Sequence, residues 1–265
     1  MLMERVKREP FKVLGVVVGI VVDNKDPEGF YRVKVKYPWV SESGAYTDTP
    51  DEEDFRSNWC RISTFMAGKE RGAFWLPEVD DECLIAFEHG DVRRPFVIGT
   101  LWNGVDTTIH ANKEQGGKNW FRSIRSRSGH MLQFVDKKDD KVERLVIQNL
   151  VKFGDEEKDP KQRDGHWICL DQSGSVDQIE IYDHTQEHYI LIDTKAKKIT
   201  IECKTGDMLI KAEKTITIDC KDLVIKASAT IKQESGSSTE TKAGSDMKIT
   251  AGGTLTEKAS MIKLN

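Results

Sequence analysis

The sequence predicts an all-β protein in two parts: a small closed barrel of five strands, then a fibrous run of short strands. Three observations carry this. Short β-branched segments separated by turn clusters fill residues 11–104. From Ile190 to the C-terminus there is no aromatic residue and no proline, only apolar pairs two positions apart among Lys, Glu, Asp, Ser, Thr and Gly. All six tryptophans lie earlier, from Trp39 to Trp167. The expected organisation is an N-terminal extension at 1–10, the barrel at 11–104, a connecting segment with strands at 105–166, and the fibre at 167–265.

The barrel strands follow in order. Val13 to Val22 is β-branched and ends at the turn cluster DNKDPEG. Tyr31 to Tyr37 alternates, with Tyr31, Val33, Val35 and Tyr37 on one face and Arg32, Lys34 and Lys36 on the other. A polar, acidic loop runs from Ser41 to Asp54. Trp59 to Ile62 is a short strand, and TFMAGKERG is a glycine-bearing loop. Glu82 to Phe87 and Phe96 to Gly99 make a last hairpin around EHGDVRRP. The OB-fold is the commonest barrel of five such strands.

Composition narrows the function. The chain of 265 residues is 38% hydrophobic and 32% charged, with net charge -4. A nucleic-acid partner would want a basic excess with exposed aromatics, and the longest barrel loop is acidic instead. Five cysteines without CxxC spacing read as free thiols in a reducing compartment. The N-terminus is charged and carries Pro10 before any apolar run, so no signal peptide is expected. The longest apolar run, Val16 to Val22, is too short to span a bilayer. Synthesis in the cytoplasm is the expectation.

In the fibre, Trp167–Leu170, Ile179–Tyr182 and Tyr189–Ile192 read as strands. The pairs follow: Ile199/Ile201, Met208/Ile210, Ile216/Ile218, Leu223/Ile225 and Ala229/Ile231, spaced nine, eight, seven and six residues apart. Met247/Ile249 and Ile262/Leu264 come later. A repeat near ~8 residues is one strand plus one turn. Each repeat buries two apolar groups, worth roughly 1.5–3 kcal/mol each. That falls short of ordering about 8 residues at roughly 1–2 kcal/mol apiece. A lone chain would therefore be an unstable ribbon. Three intertwined chains would bring the pairs onto one axis and give every strand edge a partner. The lack of rings fits a narrow core, and the lack of proline fits strands that donate throughout. The expected trimer core is Ile199, Ile201, Met208, Ile210, Ile216, Ile218, Leu223, Ile225, Ile231, Met247 and Ile249. A single-chain β-solenoid is the alternative. The polar segment Lys232 to Ser245 reads as a wet shaft section, with Thr239 and Thr241 facing water or an ion, or as a loop.

The stretch WCRISTFMAGKERGAFWLPEVDDECLIAFEHGDVRRPFVIGTLWNG resembles the core motif of the phage baseplate assembly protein V and VgrG spike family. The AGKERG loop supplies Gly68 and Gly72, and the LPE turn supplies Pro77 and Glu78. The EHGD hairpin gives His89, Gly90 and Asp91, and RRPFVIGTLWNG gives Pro95 and Gly99. A second segment, IRSRSGHMLQFVD with Ser126, Gly129 and His130, resembles the family's passage from barrel to spike. One departure is DDEC at Asp80–Cys83, where the family usually has Gly-Asp-Glu-Val.

The resemblance implies a homotrimeric central spike of a contractile injection machine, with a barrel collar and an intertwined β-helical shaft. It implies an organiser of the baseplate that leads the inner tube through the target envelope and crosses the membrane transiently. Family members of the VgrG type carry a hub ahead of the barrel. This chain starts almost at its first strand, so a separate hub protein is expected. By resemblance, a PAAR-like tip protein caps the C-terminal end, where Met261, Ile262 and Leu264 would form a small apolar patch. A phage tail, a tailocin, a type VI-like system or an extracellular particle would each fit, and the expected separate hub favours a phage-like or extracellular particle over type VI secretion.

No residue constellation points to catalysis, and no cofactor is expected. His184 and His188 have helical metal spacing, but DHTQEHY reads as strand, turn, strand, so they would not share a helix face. Some phage spikes carry a His-x-His iron site near the tip, and this chain has no histidine after His188. The enzymatic alternative is a polysaccharide-degrading tail component. It would want a carboxylate pair in a groove with aromatics to stack sugars.

Overall fold

The computed structural model describes residues 12–39, 56–111 and 116–263. The expected extension at 1–10 and acidic loop at Ser41–Asp54 lie outside them.

The barrel forms from β1 (Val16–Asp23), β2 (Arg32–Lys36), β3 (Cys60–Ile62), β6 (Glu82–Phe87) and β7 (Pro95–Thr100). It closes in the order β1-β2-β3-β7-β6, with β1 pairing β6. Only β3 and β7 run parallel. Alternation decides which side chains go inside: Val33 and Val35 of β2 and Cys83, Ile85 and Phe87 of β6 all enter one core with Val21, Tyr37, Cys60 and Val97. Gly19 lets β1 cross this core closely, since a Cβ there would sit 3.0 Å from Ile85 Cγ1. Between β3 and β6 a two-stranded hairpin stands apart, β4 (Ala67–Gly68) and β5 (Arg71–Gly72). The five predicted strands are present to within three residues at either end.

The next strands make one antiparallel meander of seven: β8 (Phe121–Arg125), β9 (Met131–Lys137), β10 (Val142–Gln148), β11 (Trp167–Asp171), β12 (Gln178–Tyr182), β13 (His188–Asp193) and β14 (Lys198–Cys203). This sheet runs across the expected division at 166/167. Ile199 and Ile201 lie on β14, paired with Ile192 and Ile190 of β13.

The chain divides into two compact units at Met208/Leu209. In the second, the described residues 209–263 form no strand pair and every one is exposed. Its local contacts are short-range, such as Lys232 Nζ to Glu234 Oε1 at 2.5 Å and Ser235 Oγ to the Ser238 carbonyl at 2.7 Å. Among the described residues no helix is long and apolar enough to cross a membrane.

Candidate functional surface

The seven-stranded sheet has a covered face that mixes polar with apolar side chains and an open face that is almost wholly apolar. On the covered face Gln133, Gln148, Asp171 and Glu180 are buried beside Met131, Val135, Val146, Trp167 and Cys169. Cross-strand register builds the open face. One row runs Ile124, Leu132, Ile147, Ile168, Ile181, Ile190, Ile201, each directly opposite the next. The adjacent row runs Arg122, Phe134, Leu145, Leu170, Ile179, Ile192, Ile199. Arg122 is its one polar member. These positions are half-covered or open; Ile168 is 41% exposed and Ile199 67%. Asp136 and Glu143, paired across β9 and β10, border the rows on one side. Soluble monomers rarely leave so continuous an apolar face in water.

The opposite face is closed by a strap, residues 149–165. Arg163, 5% exposed, holds it. Its Nη2 donates to Gln133 Oε1 at 2.8 Å and to the carbonyls of Glu156 and Lys158 at 2.8 and 2.5 Å. Gln133 donates back to the Glu156 carbonyl at 2.7 Å, and Gln148 Nε2 reaches the carbonyls of Pro160 and Asp164, both at 3.1 Å. Burial pulls the Arg163 pKa down to about 10, so it stays charged at neutral pH. The carboxylates of this face find cations. Arg125 lies 3.4 Å from Glu156, Arg144 lies 2.6 and 2.8 Å from Asp159 and Asp171, and Lys161 lies 2.8 Å from Glu180. Further along the same face Trp167, Tyr182 and Tyr189 stack at 4.8 and 4.6 Å between centroids.

The motif residues build turns and close approaches. Ser126 receives the His130 N–H on its hydroxyl at 3.1 Å and donates its own N–H to the His130 carbonyl at 2.9 Å, closing the β8–β9 turn. Gly129 completes that turn at φ +81°, where a Cβ would lie 2.3 Å from the Val151 carbonyl oxygen. Gly165, at φ +93°, gives the same close approach at the other end of the strap, against Asn149. Gly72 has φ +152° and meets the Met66 carbonyl, and Gly68 opposes Arg71 in the hairpin. The Pro77 carbonyl accepts from Asn24, and Glu78 pairs with Arg127 at 2.7 Å, tying barrel to sheet. His89 and Gly90 take left-handed conformations before β7, Asp91 grips the Arg93 guanidinium at 2.8 Å, and Pro95 and Gly99 lie on β7. Arg93 holds the Asp91 carboxyl down at about 2.

Of the expected core residues, Ile199 and Ile201 join the open face of the sheet, and Met208 closes the first unit. Ile210, Ile216, Ile218, Leu223, Ile225, Ile231, Met247 and Ile249 are all exposed along the second unit. So are Met261 and Ile262, while Leu264 lies outside the described residues. His184 and His188 flank a strand-to-strand turn organised by Asp183, whose carboxylate accepts from the Glu187 and His188 N–H groups at 3.1 and 3.2 Å. Among the described residues no group of three or more His, Cys, Asp or Glu is placed to hold a metal. Sequence reasoning missed the strap and the apolar rows of β8 to β10. The strap's signal was faint: a buried arginine in a charged loop looks like any solvated one.

Comparison with known proteins places this geometry. Residues 17–102 match the type VI secretion system/phage-baseplate injector OB domain. The type VI secretion system spike proteins VgrG1c and VgrG1b of Pseudomonas aeruginosa are each 27% identical, over 169 and 168 residues. Each alignment covers 61% of this chain and 21% of the relative. VgrG1a of the same organism is 30% identical over 123 residues, 45% of this chain and 17% of that protein. The chain thus spans about a fifth of the length of the curated relatives it matches. The closed five-stranded barrel with its motif turns coincides with the matched residues, so residues 17–102 form an injector OB domain in an all-β chain that is similar to type VI spike proteins.

Proposed function

We propose that this chain is the central spike of a contractile injection apparatus, of the type VI or phage-baseplate kind, and that it works as a non-enzymatic homotrimer. The observation that carries the reading is the open apolar face of the sheet. A chain that covers one face with a strap and leaves two apolar rows open on the other has its missing core on another molecule. Each half-covered Ile or Leu still has about 1 kcal/mol to gain from full burial. Over two rows that is enough to hold copies together against the cost of association. The exposed pairs from Met208 to Ile249 repeat the pattern on a thinner scale, with the hydrogen-bonding groups of their backbone still to be satisfied. Three copies turned about one axis supply both needs with cyclic closure.

In this reading the barrels form a collar that meets a separate hub protein and the inner tube, and the shaft leads the tube through the target envelope. Met261, Ile262 and Leu264 would seat a PAAR-like tip protein. The polysaccharide-degrading alternative would want a carboxylate pair beside rings in a groove, and the groove lined by Trp75, Trp167 and Tyr182 has no carboxylate among the described residues of its lining.

The test is the molar mass of the purified chain by light scattering, with an unheated denaturing gel alongside. Three times 30.1 kDa, with detergent resistance lost on boiling, is the expected result. A folded monomer would exclude the trimeric spike.

A further inference from the structure

The open face of the sheet is not the only bare apolar surface. The hairpin β4–β5 carries Phe65 and Met66 on its way out and Phe74 and Trp75 on its way back. They are 86%, 49%, 74% and 55% exposed. We infer that this arm is a second self-association surface, docking its aromatic side chains on a neighbouring copy of the same chain and locking the collar to the sheet faces.

Three observations support this. First, the arm is held rigid from below. Tyr31 donates its hydroxyl to the Trp75 carbonyl at 2.7 Å and accepts the Trp75 N–H at 3.0 Å, and its ring lies 4.9 Å from that of Phe74. Tyr31 itself sits at φ 60°, an unfavourable conformation for a non-glycine residue that the surrounding turn must enforce. The turn does so through Asp26, which accepts from the N–H groups of Glu28 and Phe30 and from both Arg32 Nε and Nη2. At the arm's own base the Ala73 N–H meets the Met66 carbonyl at 3.0 Å, and Thr64 Oγ1 donates to the Ala73 carbonyl at 3.0 Å. Aromatic side chains presented on a fixed backbone lose little freedom when they dock.

Second, the arm is continuous with the open face. Trp75 lines one open groove of about 640 Å³ together with Ile124, Leu132, Ile147 and Ile168. Whatever covers those rows therefore also meets Trp75. Third, the occupant that the spike reading places on the rows is another copy of this chain, and around a cyclic axis every copy offers its arm to the next. The inference rests on that reading but adds a contact made by the barrel, away from the strand rows.

Two variants of the full chain test it. A photo-crosslinking amino acid at Phe65 should give covalent dimers and trimers on irradiation, with the bond mapped to a second copy. The double variant Phe65→Ser, Met66→Ser leaves the Tyr31–Phe74 ring contact and the backbone bonds of the arm in place, so the monomer should fold. Its complex should dissociate at a detergent or protein concentration shifted by roughly tenfold or more. A wild-type trimer with no inter-copy crosslink and an unshifted double variant would overturn the docking arm and leave the spike reading intact. A wild-type monomer would overturn both.

Discussion

Gly129 shows how a motif residue can matter through backbone alone. Its left-handed φ and its contact with the Val151 carbonyl leave no room for a methyl group. Gly129→Ala should cost about 3 kcal/mol or more, combining the strained conformation with a forced shift of the strap. Gly104→Ala, with nothing within 4 Å, should be nearly silent. Denaturation midpoints of the two variants check this. The thiols give a second residue-scale expectation. Burial pushes Cys60 up to about 11, and Cys83 and Cys169 up to about 12. At pH 8 these three should stay unlabelled by iodoacetamide in the folded chain and react only after denaturation. Rapid native labelling of Cys60 or Cys83 would contradict the closed barrel core, and that of Cys169 the covered face of the sheet. The turn glycines and the motif could be read in sequence because their residue types are restrictive. The partner of Gly129, twenty-two residues on at Val151, could not, since nothing local encodes a distant close approach.

At the scale of elements, the barrel was readable and the sheet only partly so. Alternation with a buried face, as in Arg32–Lys36, signals a barrel strand directly. In β9 to β13 the same alternation is present, but both faces carry apolar residues. Gln133, Gln148, Asp171 and Glu180 share the closed face with Met131, Val135, Val146, Trp167 and Cys169. Hydropathy alone does not say which face is covered. Strands were expected in the connector, but the strap was not, because only some of its charges reach the sheet: Asp159 meets Arg144 and Lys161 meets Glu180. Arg163→Ala removes the strap's anchor and takes the donor away from Gln133 Oε1 and from the Lys158 carbonyl. It should cost about 3–5 kcal/mol. Arg163→Lys should fall between, as one ammonium cannot make the same fork. Hydrogen exchange should quicken in β9, β10 and β11 while the barrel amides stay slow. Uniform quickening would mean that the strap is not a separate clamp.

At the scale of the whole molecule, the uncovered rows govern behaviour. Ile181→Asp sets a carboxylate in the middle of one row, across from Ile168 and Ile190. In the proposed trimer three such charges would be buried near one another, costing several kcal/mol. The expected outcome is a chain of 30.1 kDa in solution that keeps its β-sheet circular dichroism. A variant still three times that mass would place the interface elsewhere. The periodic pairs of the fibre were visible in the sequence, yet their function was not fixed by visibility, because one chain offers them no interior. The edges carry a further consequence. Among the described residues, β8 and β14 are the edge strands of the sheet, each paired to a strand on one side only, beside the bare rows. A newly made copy is thus most vulnerable between release from the ribosome and its first encounter with a sibling. During that interval any strand can add to it. Crowded synthesis on one message would shorten the wait. Dilute synthesis would lengthen it, so yield should depend on how closely in time and space the copies are born.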